Sequence, residues 1–124
     1  MTRSTLAWMA LIGAMAAVIP GVALADDPAM AKDGMLVDHK GMTLYTYDKD
    51  ENGKSNCNEK CAANWPPLMA QGTSTAMDQW TVVKRDDGTM QWAYEGKPLY
   101  TFIKDKAGER TGDGVGSVWH VAKP

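Results

Sequence analysis

The residues most able to do chemistry crowd into one stretch, Asp48-Lys-Asp-Glu-Asn-Gly-Lys-Ser-Asn-Cys-Asn-Glu-Lys-Cys61. Asp48, Asp50, Asn52, Gly53 and Glu59 occupy positions 1, 3, 5, 6 and 12 of an oxygen-rich calcium loop. The flanks argue for a plain Asp/Asn/Gly turn instead. An EF-hand loop sits between two helices, whereas Leu44–Tyr47 reads as a strand and a cysteine fills the tenth position. Cys57 and Cys61, four apart, allow two further readings. In an oxidising compartment they form a local disulfide, which closes so small a loop that chain entropy assigns it only about 2 kcal/mol. Alternatively they act as thiols, in exchange or as copper ligands with His39 or His120 and soft methionine sulfur.

Other catalytic chemistry finds little support. The chain has two histidines, no Gly-x-Ser-x-Gly and no His-Glu-x-x-His, so no nucleophile with an oriented base can be assembled. No catalytic residue and no cofactor is expected. The formal charge is −2, and the basic residues are scattered, with only Lys84-Arg85 adjacent. A basic stripe for nucleic acid or for an acidic membrane is absent.

The elements that position these residues must come from the chain beyond residue 25. Arg3, the apolar run Leu6–Leu24 interrupted by Gly13 and Pro20-Gly21, and the small pair Ala23 and Ala25 have the layout of a secretory signal peptide over residues 1–25, cut near Ala25. Asp26-Asp27 comes directly after it, which disfavours a retained span, and no cysteine marks a lipid attachment site. The remaining 99 of the 124 residues suit one domain over 26–124.

An internal duplication organises that domain. Gly41-Met-Thr-Leu-Tyr-Thr-Tyr-Asp-Lys-Asp50-Glu-Asn-Gly53 aligns with Gly96-Lys-Pro-Leu-Tyr-Thr-Phe-Ile-Lys-Asp105-Lys-Ala-Gly108, and Asp33-Gly34 and Trp65 find counterparts in Asp87-Gly88 and Trp119. Repeat 1 covers about 33–68, a connection 69–79, and repeat 2 about 80–122. Period-two runs flank Lys40-Gly41 and Glu95-Gly96, which predicts a hairpin in each repeat. Trp80–Arg85 and Val118–Ala122 read as further strands. Alternation places Tyr45 with Tyr47, and Tyr100 with Phe102, on one face, and it invites Met90, Trp92 and Tyr94 to join them in one aromatic layer. Asn56 and Glu59 have capping-box spacing, which predicts a short helical turn with Asn56 as its cap, carrying both cysteines and stopped by Pro66-Pro67. Asp50 and Asp105 are expected at equivalent strand ends, accepting backbone hydrogen bonds from the Gly-containing loops next to them.

Tyr45-Thr-Tyr47-Asp-Lys-Asp50 and Tyr100-Thr-Phe102-Ile-Lys-Asp105 both fit Tyr-x-[Phe/Trp/Tyr]-x-x-Asp. With Cys57, Cys61 and Trp65-Pro-Pro-Leu68, the chain resembles the bacterial secreted repeats of unknown function described as predicted lipoproteins with that motif. The resemblance implies an exported envelope protein of tandem copies without an established activity. The expectation is therefore an all-β, small antiparallel domain of two pseudo-symmetric hairpin repeats with one disulfide-stapled helical turn. It would be periplasmic or secreted, without a stable membrane anchor, and would bind an envelope protein or a small ligand. The alternative is a copper, calcium or thiol-redox accessory protein that uses residues 48–61.

Overall fold

Two-residue turns set the local architecture. In the computed structural model, which describes residues 28–51, 53–71 and 78–124, Asp33 and Gly34 both take positive φ, 52° and 79°. That is the turn whose twist matches a right-handed hairpin. It joins β1 (Met30–Lys32) to β2 (Met35–Val37), with Lys32 opposite Met35. Strand β1 has no sequence signature, because all three of its residues are exposed and nothing alternates.

The chain then turns through Asp38–Gly41 into β3 (Tyr45–Tyr47). Helix α1 (Lys60–Asn64), the one α-helix among the described residues, precedes the two-residue strand β4 (Met69–Ala70). The second repeat opens with the hairpin of β5 (Trp80–Lys84) and β6 (Met90–Tyr94). The turn Glu95-Gly96 leads into β7 (Lys97–Pro98), and β8 (Trp119–Val121) closes the chain after a 3-10 turn at Val115–Ser117. All pairing is antiparallel, and the domain is all-β apart from α1.

The last strand of each repeat is given to the other repeat. Strand β8 pairs with β3, Tyr45 opposite Val121 and Tyr47 opposite Trp119. Reciprocally, Pro67 bridges Tyr100, the Thr101 N–H donates to the Pro66 carbonyl at 2.8 Å, and β4 pairs with β6. At the centre Tyr45 and Tyr100 exchange backbone bonds, the Tyr45 N–H to the Tyr100 carbonyl at 2.8 Å and the reverse at 3.0 Å. The centre of the molecule is therefore a pseudo-twofold axis between the two motif tyrosines. Met69 and Ala70, expected in the connection, are part of this exchange.

Alternation along the motif strands builds two core layers. Leu44 and Leu99 point to one, with Leu36, Trp80, Ala29 and Ala122. Tyr45 and Tyr100 point to the other, with Cys57, Trp65 and Trp119. Trp92 and Tyr94 pack against the first layer and Met90 lies half-exposed, so the single aromatic layer expected from the sequence does not form. The buried face of β6 carries Gln91 and Ala93 instead. Strand β5 buries one residue on each face, Trp80 opposite Tyr94 on the aromatic side and Val83 opposite Gln91 on the other.

The helix also starts differently from its predicted cap. Glu59 stands at the N-cap with φ 52° and caps with no side-chain bond. The Asn56 side chain is used elsewhere, donating to the Lys49 carbonyl at 2.7 Å. Cys57 lies outside the helix and is buried, joined to Cys61 in a disulfide with a Cα separation of 5.1 Å.

Candidate functional site

The two motif acids sit in matching turns, where the Asp50 N–H donates to the Tyr47 carbonyl and the Asp105 N–H to the Phe102 carbonyl, both at 3.0 Å. Each acid accepts a backbone N–H six residues on, Asp50 Oδ1 from Asn56 at 2.6 Å and Asp105 Oδ1 from Thr111 at 2.9 Å. The second carboxylate oxygen reaches across the axis. Tyr45 Oη donates to Asp105 Oδ2 at 2.5 Å, and Tyr100 Oη to Asp50 Oδ2 at 2.6 Å. The tyrosine of each copy is thus held by the acid of the other.

Bonds from hydroxyl to carboxylate at this length are charge-assisted. Burial first, and then the acceptor carboxylate, push both phenols well above the ordinary tyrosine value. Burial likewise raises Asp50, against the lowering effect of its Asn56 and Tyr100 bonds and of Arg85.

Aromatic rings repeat the exchange. Tyr47 stacks on Trp119 at 4.2 Å between centroids, Trp119 on Trp65 at 3.8 Å, and Trp65 on Phe102 at 4.1 Å. This four-ring stack alternates repeat 1, repeat 2, repeat 1, repeat 2. Tyr45 and Tyr100 meet Trp65 and Trp119 edge-on, each within its own repeat. The stack leaves room for only glycine at residue 112, where a Cβ would lie 2.7 Å from Trp65 Cη2. Cys57 is the counterpart of Gly112 in the repeat alignment.

A buried cation distinguishes the Tyr100 side. Arg85 Nη1 donates to Ser55 Oγ at 3.0 Å and to Gln91 Oε1 at 2.7 Å, and Nη2 donates to the Cys57 carbonyl at 2.6 Å. Ser55 Oγ in turn lies 2.6 Å from Tyr100 Oη. The guanidinium therefore ties the cysteine-bearing loop to β6. Nothing in the sequence singles out Arg85, because its role depends on partners 28 and 30 residues upstream.

Symmetry also fails in the loops that follow the motif acids. After Asp105 the loop folds back onto the first repeat, with the Gly108 N–H on the Gly41 carbonyl at 3.1 Å and Thr43 Oγ1 on the Glu109 carbonyl at 2.6 Å. On the other side Gly53 makes the equivalent contact with Gly96 at 3.2 Å. Pro98 stands where Thr43 stands in the first copy, and it has no hydroxyl to hold the next carbonyl. Lys54, the counterpart of Glu109, instead accepts from its own neighbour Glu51.

A groove lies between β3, β7 and β8. It contains a cavity of about 390 Å³ lined by Thr46, Asp48, Tyr94, Lys97 and His120. A second, of about 180 Å³, shares Thr46, Asp48 and Lys97. His120 Nε2 and Asp48 Oδ2 pair at 2.8 Å across the β3–β8 register, both about half exposed. Of the groove residues only Asp48 and His120 stand out in the sequence. Nothing in the sequence marks Lys97 or Tyr94 as a groove residue.

The calcium and copper candidates do not converge. Asp48 is turned to His120, Asp50 to Tyr100 and Asn56, and Glu59 begins α1 on the exposed side, while Asn52 lies outside the described residues. Cys57 and Cys61 are bonded to each other, His39 sits on the exposed Asp38–Gly41 turn, and His120 is in β8. Among the described residues no three His, Cys, Asp or Glu side chains come close enough to hold a metal. Asp50 lines the smaller cavity with Asp48 and Glu51, but its carboxylate is engaged by the Tyr100 hydroxyl and the Asn56 N–H.

The family model for a secreted repeat of unknown function matches the chain twice, over residues 29–69 and 81–123. The chain belongs to that family. No curated protein and no solved structure matches it. Each secreted repeat, as matched, runs from a first hairpin to the strand donated to the other copy, so the motif Tyr-x-[Phe/Trp/Tyr]-x-x-Asp marks a clasp between copies. Its tyrosine and acid bond across the axis, and its second aromatic enters the stack. Among the described residues no helix is long and apolar enough to cross a membrane.

Proposed function

We propose that this protein is a non-catalytic binding module of the bacterial envelope, exported to the periplasm after cleavage near Ala25, which presents the groove between β3, β7 and β8 to a small polar ligand or an envelope partner. The observation that carries this reading is the contrast between the two polar clusters. The motif phenols are fully buried and give their hydrogen bonds to the motif acids, so neither hydroxyl faces solvent. Thr46, Asp48, Lys97 and His120, by contrast, offer hydroxyl, carboxylate, ammonium and imidazole groups around open space.

The rival reading, a metal or thiol accessory protein, draws less support because its ligands are dispersed and its thiols are paired. Native mass spectrometry of the exported protein, purified without chelator, tests the proposal. Wild type should carry a non-covalent adduct that is absent from the Lys97→Ala/His120→Ala double variant. No adduct, or an equal adduct on both proteins, overturns the groove.

A further inference from the structure

We infer that the face each repeat turns to the other is a recognition surface for the complementary repeat of a second copy of this chain, so that the protein can close in trans as a strand-exchanged dimer. The interface has the chemistry of a specific partner site. Repeat 1 offers the Tyr45 hydroxyl, the Asp50 carboxylate, the faces of Tyr47 and Trp65 and the backbone edge at Tyr45. Repeat 2 offers Asp105, Tyr100, Trp119, Phe102 and the edge at Tyr100, and each group meets its opposite. The terminal strands deepen the match, since β8 completes β3 and β4 completes β6. The heterotypic pairing is also enforced, because the Ser55 hydroxyl and Cys57 carbonyl of repeat 1 are satisfied by Arg85 of repeat 2.

Each of these contacts is made between described residues of the two repeats, which residues 71–79 join covalently. Contacts of this kind form equally with the complementary repeat of another chain when the link does not let the two meet in one, which is the condition for domain exchange. The link's required reach is set by the register. Strands β4 and β5 flank β6, Ala70 is level with Met90, and Trp80 is level with Tyr94. At standard strand dimensions the link spans about 10 Å across and about 14 Å along, or about 17 Å in all. Nine residues cover this easily. Three residues, reaching at most about 14 Å, do not.

Deleting residues 72–77 therefore tests the inference in the otherwise complete chain. Light scattering should report a folded dimer of twice the chain mass, with the buried phenols still refractory to alkaline titration. A folded monomer overturns the inference. If the deletion variant does not fold, a full-length chain with a protease site inserted after Ala76 decides the matter. Once cut in the folded state, its two pieces should stay together in native mass spectrometry. On unfolding and refolding with an isotope-labelled copy, they should re-pair in mixed combinations. Pieces that separate on cleavage, or never form mixed pairs, overturn it.

Discussion

At the residue scale the clasp makes unequal demands on its two sides. Removing the Tyr45 hydroxyl leaves Asp105 Oδ2, in a nearly closed environment, without the donor it accepts. An unsatisfied buried acceptor costs about 1–3 kcal/mol, more when charged. Tyr45→Phe should therefore lower the unfolding free energy by about that amount in urea titration. Asp105→Ala and Asp50→Ala should each destabilise as well, with the smaller loss at the less buried Asp50. Unchanged midpoints would remove the clasp from the account.

The same bonds set a pH dependence. Both phenols ionise less readily in the folded state than in the unfolded chain. Their contribution is thus complete below the unfolded tyrosine pKa near 10 and is lost as pH rises toward the folded value. In that window stability should fall by about 1.4 kcal/mol per pH unit for each phenol. Urea midpoints measured at several alkaline pH values check the slope. They should drop in wild type, and drop less steeply in Tyr45→Phe.

At the element scale the ring stack and the stapled loop carry the predictions. A methyl group at residue 112 would collide with Trp65 and press on Phe102, at 2.7 Å and 3.1 Å. Overpacking of this kind costs about 1–3 kcal/mol. Gly112→Ala should lose that much and alter the near-ultraviolet circular dichroism of the stacked tryptophans. The Cys57–Cys61 link closes few residues, so its replacement by serines should cost about 2 kcal/mol while the far-ultraviolet spectrum stays native. An unfolded double-serine variant would mean that the staple, and not Arg85, holds the 48–59 loop against β6.

At the scale of the whole molecule, strand exchange makes the two repeats one cooperative unit. Neither copy retains a complete sheet or a satisfied motif tyrosine without the other. Thermal unfolding should show one transition with equal calorimetric and van't Hoff enthalpies. Two resolved transitions, one per repeat, would contradict the interleaved core.

Much of this architecture is local and was therefore legible in the sequence. Gly41 and Gly96 take the positive φ of the turns expected at Lys40-Gly41 and Glu95-Gly96, period two assigns Tyr45 with Tyr47 and Tyr100 with Phe102 to a face, and a 55-residue shift exposes the duplication, whereas the hairpin at Asp33-Gly34 was not expected. The cysteine spacing and export context point to the staple in the same way. By itself the sequence determined the fold class, the repeats and the residues of the motif.

Which copy's acid serves which copy's tyrosine is a different kind of question. Asp50 lies five residues after Tyr45 and Asp105 five after Tyr100, so a contact within each copy was equally compatible with the pattern. Pairing across 60 and 50 residues, the burial of Arg85 and the groove between β3, β7 and β8 arise only when the terminal strands cross to the opposite repeat. The motif strands of the two copies share the Leu-Tyr-Thr-aromatic pattern and present similar edges, and local propensity does not distinguish them. The choice falls to long-range strand pairing and to the packing of four rings that alternate between the repeats.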